Sequence, residues 1–144
     1  MSAQGLEAID HTVHVTHEWI NELTARLDWG SKRSALRLLR CTLHRVRDHL
    51  LTDELAQFSA QLPLLIRGMF FEGWMPKRTP IKERHAEDFT DAIGDQMREA
   101  DDYRGPQDIR HVFDLLNNRL SEGEIRDIRA CLPEPIRALW PDPM

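Results

Sequence analysis

Apolar residues recur along almost the whole chain with the three-to-four spacing of a helix that buries one face. Between Leu6 and Trp29 the residues Ile9, Val13, Ile20, Leu23 and Leu27 repeat at three, four and seven, with Trp19 beside them. The spacing predicts one amphipathic helix stopped at Gly30, with Ser31 placed to cap the next. The second helix has the clearest ladder, Leu36, Leu39, Leu43, Val46 and Leu50, and should end near Leu50 or Leu51. Thr52-Asp53-Glu54-Leu55 opens a short helix to about Gln61. Pro63 suits the first turn of another, where its missing amide costs nothing, and Leu64, Leu65, Ile66, Met69 and Phe70 carry that helix to Gly73.

Residues 74–81 hold two prolines, Pro76 and Pro80, and interrupt every period, so they read as a linker or a wrapped loop. A helix from Lys82 to Ala100 follows, with Phe89, Ile93 and Met97 four apart. Gly105-Pro106 resets the chain before Ile109, Val112, Phe113, Leu116 and Leu120. Ser121 and Glu124 have capping-box spacing ahead of Ile125 and Ile128. Pro133 opens a last helix with Ile136 and Leu139, before Trp140.

Sliding the chain by seventy residues brings these patterns into one register without a gap. Arg40 meets Arg110, Leu50 meets Leu120, Glu54 meets Glu124, Leu62-Pro63 meets Leu132-Pro133, Ile66-Arg67 meets Ile136-Arg137 and Phe70 meets Trp140. Trp19, Leu23 and Leu27 fall on Phe89, Ile93 and Met97. The expected fold is all-α: two tandem copies of a roughly four-helix unit, residues 6–73 and 82–140, joined by the linker 74–81. Each copy is near the size at which a lone core is marginal, so the two should pack as one compact domain spanning residues 1–144.

Composition changes this picture little, because 41% apolar and 30% charged residues in 144 describe an ordinary globular chain. No basic cluster leads into an apolar run at the N-terminus, and no apolar stretch approaches ~20 residues, so the expectation is a cytoplasmic protein without a membrane segment. Cys41 and Cys131 are far apart and read as reduced structural thiols. Charge adds more. The net −5 conceals a stretch from Lys32 to Leu51 with six basic residues against Asp48, and one from Lys82 to Asp102 with three basic against eight acidic. The two should complement one another within a chain or across a dimer. The overall sign and the nearby acidic stretch argue against nucleic acid as a partner.

Candidate chemistry is sparse. His11, His14 and Glu18 share one face of the first helix and are candidate metal ligands, with a solvated face as the alternative. His44 and Asp48 are four apart, as an acid/base couple or a plain surface contact. The arginine and glutamate kept in both copies, Arg40/Arg110 and Glu54/Glu124, suggest a structural bridge in each. Arg67 and Arg137 could instead converge on an anion. No nucleophile elbow, phosphate loop or dinucleotide fingerprint is present, which disfavours an enzyme and gives no reason to expect a cofactor. Phe70, Phe71 and Trp74 crowd three aromatics into five residues, too many for one helix face. With Arg37, Arg40 and Arg47 of the basic stripe they are the candidate interaction residues.

Thr16-His17-Glu18-Trp19-Ile20, Leu43-His44-Arg45-Val46-Arg47-Asp48, the run from Gln61 to Trp74, Thr79-Pro80-Ile81-Lys82-Glu83-Arg84-His85 and Leu120-Ser121-Glu122-Gly123-Glu124-Ile125 resemble the bacterial domain of unknown function 2267. The resemblance runs from about Thr16 to Trp140 and implies a small bacterial cytoplasmic helical protein. It brings no activity, cofactor or catalytic residue with it. The reading that results is a non-enzymatic protein acting through a protein partner or homo-oligomer. A small-anion-binding protein using Arg67 and Arg137, or a metal-binding protein using His11 and His14, are the alternatives.

Overall fold

A computed structural model describes residues 6–143, and these form eight α-helices, one 3-10 turn and no strand. The helices are α1 (Glu7–Leu27), α2 (Lys32–Arg47), α3 (Thr52–Ser59), α4 (Leu64–Phe71), α5 (Ala86–Gln96), α6 (Pro106–Arg119), α7 (Glu122–Ala130) and α8 (Glu134–Arg137), with the 3-10 turn at Pro76–Arg78. The fold is all-α, as the periodicity requires.

Local signals place most of the boundaries. The Ser31 hydroxyl accepts from the Ser34 amide and Ser121 accepts from Glu124, so both serines cap as expected. At α3 the chain starts one residue earlier than the threonine suggests: Leu51 occupies the cap, and the Glu54 carboxylate reaches back to its amide at 2.8 Å. The stop after α1 belongs to Asp28 rather than Gly30. Asp28 takes the left-handed conformation with φ 56°, which aspartate tolerates better than most side chains, and its amide closes onto Ala25. Gly73, with φ 71°, ends the α4 region as expected.

The largest departure is α5, expected over Lys82–Ala100 and four residues shorter at each end. Residues 82–85 stay out of the helix because tertiary bonds hold this stretch elsewhere. The Ile81 amide donates to the Asp48 carbonyl at 2.8 Å, and the Glu83 side chain turns inward to Arg45 and His49.

α2 lies at the centre, packed against α1, α4, α5 and α6. α6 packs against α1, α2, α5 and α7, and α3 meets α7 at one side. A continuous core runs through these contacts, with Leu23, Leu27, Leu38, Leu39, Phe70, Phe89 and Phe113 all fully buried. Trp140 stacks flat on Phe113 at 4.5 Å between ring centroids, and Phe70 meets Phe58 edge-on at 5.6 Å.

Arg67 and Arg137 close the turns that precede α4 and α8. The Arg67 Nε donates to the Ser59 carbonyl and its Nη2 to Leu62, while the Arg137 Nε donates to Arg129 and its Nη2 to Leu132. Both guanidinium groups thus satisfy the orphan carbonyls at a helix C-terminus, where positive charge is also favoured by the helix dipole. Charge-assisted bonds of this kind contribute about 1.5–3 kcal/mol each when buried and less when partly exposed. Arg67→Met and Arg137→Met should therefore each lower the unfolding free energy by about 1–3 kcal/mol in urea titrations, and by similar amounts.

Candidate functional site

The basic stripe of α2 is mostly consumed within the fold. Arg47, only 5% exposed, donates from Nη1 to the carbonyls of Phe70 and Glu72 and pairs through Nε with Asp48. Arg40 forms a two-bond pair with Glu72 at 2.9 and 3.0 Å. Arg45 pairs with Glu83, which also accepts from the His49 Nε2 at 2.9 Å. Arg33 and Arg37 stay exposed and make no salt bridge among the described residues. The two oppositely charged stretches do meet, since α2 packs on α5, but Glu83 alone carries the ion pairs between them. Glu87, Asp88 and Asp91 of α5 remain at the surface.

These contacts revise the candidate residues one by one. Arg47 and Phe70 are internal, one tying α2 to α4 and the other wholly in the core, so neither offers a contact surface. Phe71 and Trp74 are half-buried and pack with their rings tilted at 60° and 5.7 Å between centroids, with the Trp74 indole donating to Thr79. Arg40 pairs with Glu72 rather than with Glu54, which is occupied in capping α3. His44 donates from Nε2 to the Met69 carbonyl at 2.6 Å and does not engage Asp48, which is held by Arg47. His14 lies 3.5 Å from Glu18 on exposed α1, and no group of three or more metal-ligating side chains poised for an ion occurs among the described residues. Arg67 and Arg137 do not share a cavity: Arg137 lines a cleft that Arg67 does not reach.

What the helical periods alone miss is which apolar positions stay uncovered. Leu6, just ahead of α1, and Ile9 and Val13 on α1 are 49%, 54% and 40% exposed, and Leu64 and Leu65 on α4 are 60% and 39%. The two groups lie beside one another, because the Leu65 amide donates to the Thr12 hydroxyl at 2.9 Å. Leu36, Gly68 and Met69 border an adjoining open groove between α2 and α4 of about 370 Å³. A Cβ on Gly68 would touch nothing within 4 Å, so neither packing nor backbone conformation demands glycine there.

The second feature is an open cleft of about 630 Å³ between the α2–α3 turn, residues 80–84 and the α7–α8 turn. Behind it lies the Arg45–Glu83–His49 triad, with the His49 side chain 2% and the Glu83 side chain 7% exposed. Burial opposes ionisation of Glu83, yet the bonds from Arg45 and His49 outweigh it and hold the carboxyl below its usual range. Burial pushes His49 down against the opposing pull of Glu83, and burial likewise lowers His44. Desolvation raises both thiols, Cys131 to about 12, so neither is poised as a nucleophile.

The pH dependence of stability follows in sign. For His44 and His49 the folded pKa lies below the unfolded value of 6.5, so the unfolded chain takes up protons first. Stability present above that pH is lost as acidification proceeds toward the folded values. Glu22 and Glu83, held below 4.5 in the fold, add a second loss at lower pH. Thermal midpoints should be level between about pH 7 and 8, fall through the 6.5 region and fall again below 4.5, and a His44→Gln/His49→Gln variant should lack the first fall.

Compared with known proteins, residues 16–139 match the family model described as "Uncharacterized conserved protein (DUF2267)". No curated protein matches the chain at a significant level. The chain belongs to the DUF2267 family.

Proposed function

We propose that this DUF2267 member is a non-enzymatic bacterial cytoplasmic protein that works by self-association, pairing the uncovered apolar face of α1 and α4 with the same face of a second copy. One observation carries the reading. Leu6, Ile9, Val13, Thr16, Ile20, Leu23 and Leu27 alternate at three and four, the heptad seam of a helix that packs along another helix. From Thr16 onward that seam is buried in the core, at 7% exposure or less. Its first three members continue the same stripe into solvent. A heptad seam is satisfied by another helix, and the α1 of a second copy supplies one with the same stripe.

The area agrees with a dimer. The five side chains, 39–60% exposed, form an apolar patch of the class, ~300–600 Å², that is the largest on a typical monomer and often functional. A stable interface covers about 800 Å² per partner, a little over half of it apolar. The patch therefore provides about the apolar share one partner needs.

Internal duplication sharpens the argument, and we read the chain as two copies of one unit. The matched bonds of Arg67 and Arg137 seventy residues apart support this. So does the exchange of contacts in which α1 packs on α6 and α5 packs on α2. In that register Leu64 and Leu65 correspond to Glu134 and Pro135, and Leu6, Ile9 and Val13 to Pro76, Thr79 and Glu83. The apolar face thus belongs to the first unit alone, so the shared core does not account for it. The exposed part of the seam also lies ahead of residue 16, where the family match begins. Raised thiol pKa values, a His44 committed to a carbonyl and a His49 closed off beside Glu83 support the absence of catalysis. No described helix is long and apolar enough to cross a membrane.

Sedimentation equilibrium should give twice the 16.8 kDa chain mass at micromolar concentration. Ile9→Asp/Val13→Asp should return it to the single-chain mass with its helical circular dichroism unchanged, and Leu64→Asp should weaken association at least about tenfold. Arg126→Ala, on a 72% exposed side chain of α7, should have no effect. A wild-type protein that sediments as a monomer at 100-fold higher concentration would overturn the reading.

A further inference from the structure

We infer that the cleft beside the Arg45–Glu83–His49 triad binds a small phosphorylated anion, held by Lys82, Arg84 and Arg137. The triad sets the geometry. Glu83 is turned inward and its charge is met by Arg45 and His49. The stretch that carries it, ahead of α5, is not helical. Lys82 and Arg84 flank Glu83, and both are exposed and line the cleft. The Ile81 amide bonded to the Asp48 carbonyl anchors this non-helical segment at its start.

The opposite wall is equally fixed. Arg137 spends Nε on the Arg129 carbonyl and Nη2 on the Leu132 carbonyl, which orients the guanidinium and leaves Nη1 for a ligand. Neither Lys82 nor Arg84 makes a hydrogen bond or salt bridge among the described residues. Glu134 is the one carboxylate of the lining that the triad does not neutralise. Three cations against that carboxylate leave two positive charges, on a chain whose net charge is −5. A phosphomonoester carries about −1.5 to −2 at neutral pH and offers three acceptor oxygens to Arg and Lys donors. The volume of about 630 Å³ lies within the span of small-molecule sites.

Inorganic phosphate, added to the ¹⁵N-labelled full chain at low ionic strength, is the probe. Saturable amide shifts should localise to residues 81–84 and 131–137. Lys82→Ala/Arg84→Ala should weaken binding at least about tenfold while the remaining spectrum is preserved. Lys77→Ala/Arg78→Ala, on the neighbouring 3-10 turn outside the cleft lining, should leave it unchanged. Glu134→Gln, which removes the opposing charge, should tighten it severalfold. Shifts that never saturate, or that survive Lys82→Ala/Arg84→Ala at wild-type strength, would overturn the proposal. The sedimentation of Lys82→Ala/Arg84→Ala should match wild type in every case, which keeps this site separable from the self-association face.

Discussion

Burying α2 on nearly all sides is the constraint from which the rest of the molecule follows. Ala35, Leu38, Leu39, Leu43 and Val46 are completely covered, yet the same sixteen-residue helix carries Arg40, His44, Arg45 and Arg47. A polar or charged side chain drawn out of water, fully at Arg47 and in part at the other three, is costly unless it is hydrogen-bonded. Each of these side chains therefore recruits a particular piece of chain. Arg47 and His44 draw in carbonyls from the end of α4, Arg40 draws in Glu72, and Arg45 with His49 draws in Glu83. Those bonds place α4 and the stretch before α5, and so position the surfaces on which function is proposed.

One consequence is that the linker is not a passive connection. Residues 74–81 were bounded in the sequence by their prolines, but the tertiary bond from Ile81 to Asp48 and the capture of Glu83 extend the non-helical segment to His85. A carboxylate written into a helical period is withdrawn from it to meet the half-buried Arg45 and the buried His49. The neighbouring Lys82 and Arg84 are left exposed.

A second consequence concerns apolar residues rather than charges. Leu23 and Leu27 on α1 and Ile66 and Phe70 on α4 find partners on the central helices, whereas Ile9, Val13, Leu64 and Leu65 satisfy the same periodicity without cover. α1 runs for 21 residues, whereas α5, the helix matched to it in the seventy-residue register, has 11. The extra turns carry the seam past the body of the domain. Periodicity states that a face is apolar; whether anything lies against it depends on where neighbouring helices end.

The sequence by itself determined the helical class, the order of all eight helices, the serine caps at Ser31 and Ser121, and most of the residues that make the core. These follow from local rules, three-to-four spacing and the pairing of a hydroxyl with orphan amides, that need only near neighbours in the chain. It also singled out Arg40, Arg47, Arg67, Arg137 and Phe70 as exceptional, without distinguishing a surface role from an internal one. Only the tertiary structure decided that Arg47 and Phe70 are internal, that Arg67 and Arg137 serve separate helix ends, and that Glu83 rather than the α5 acidic face neutralises α2. The reason is that a charge or a leucine has the same local pattern whether or not another segment reaches it, and that reach is set by the packing of helices far apart in sequence.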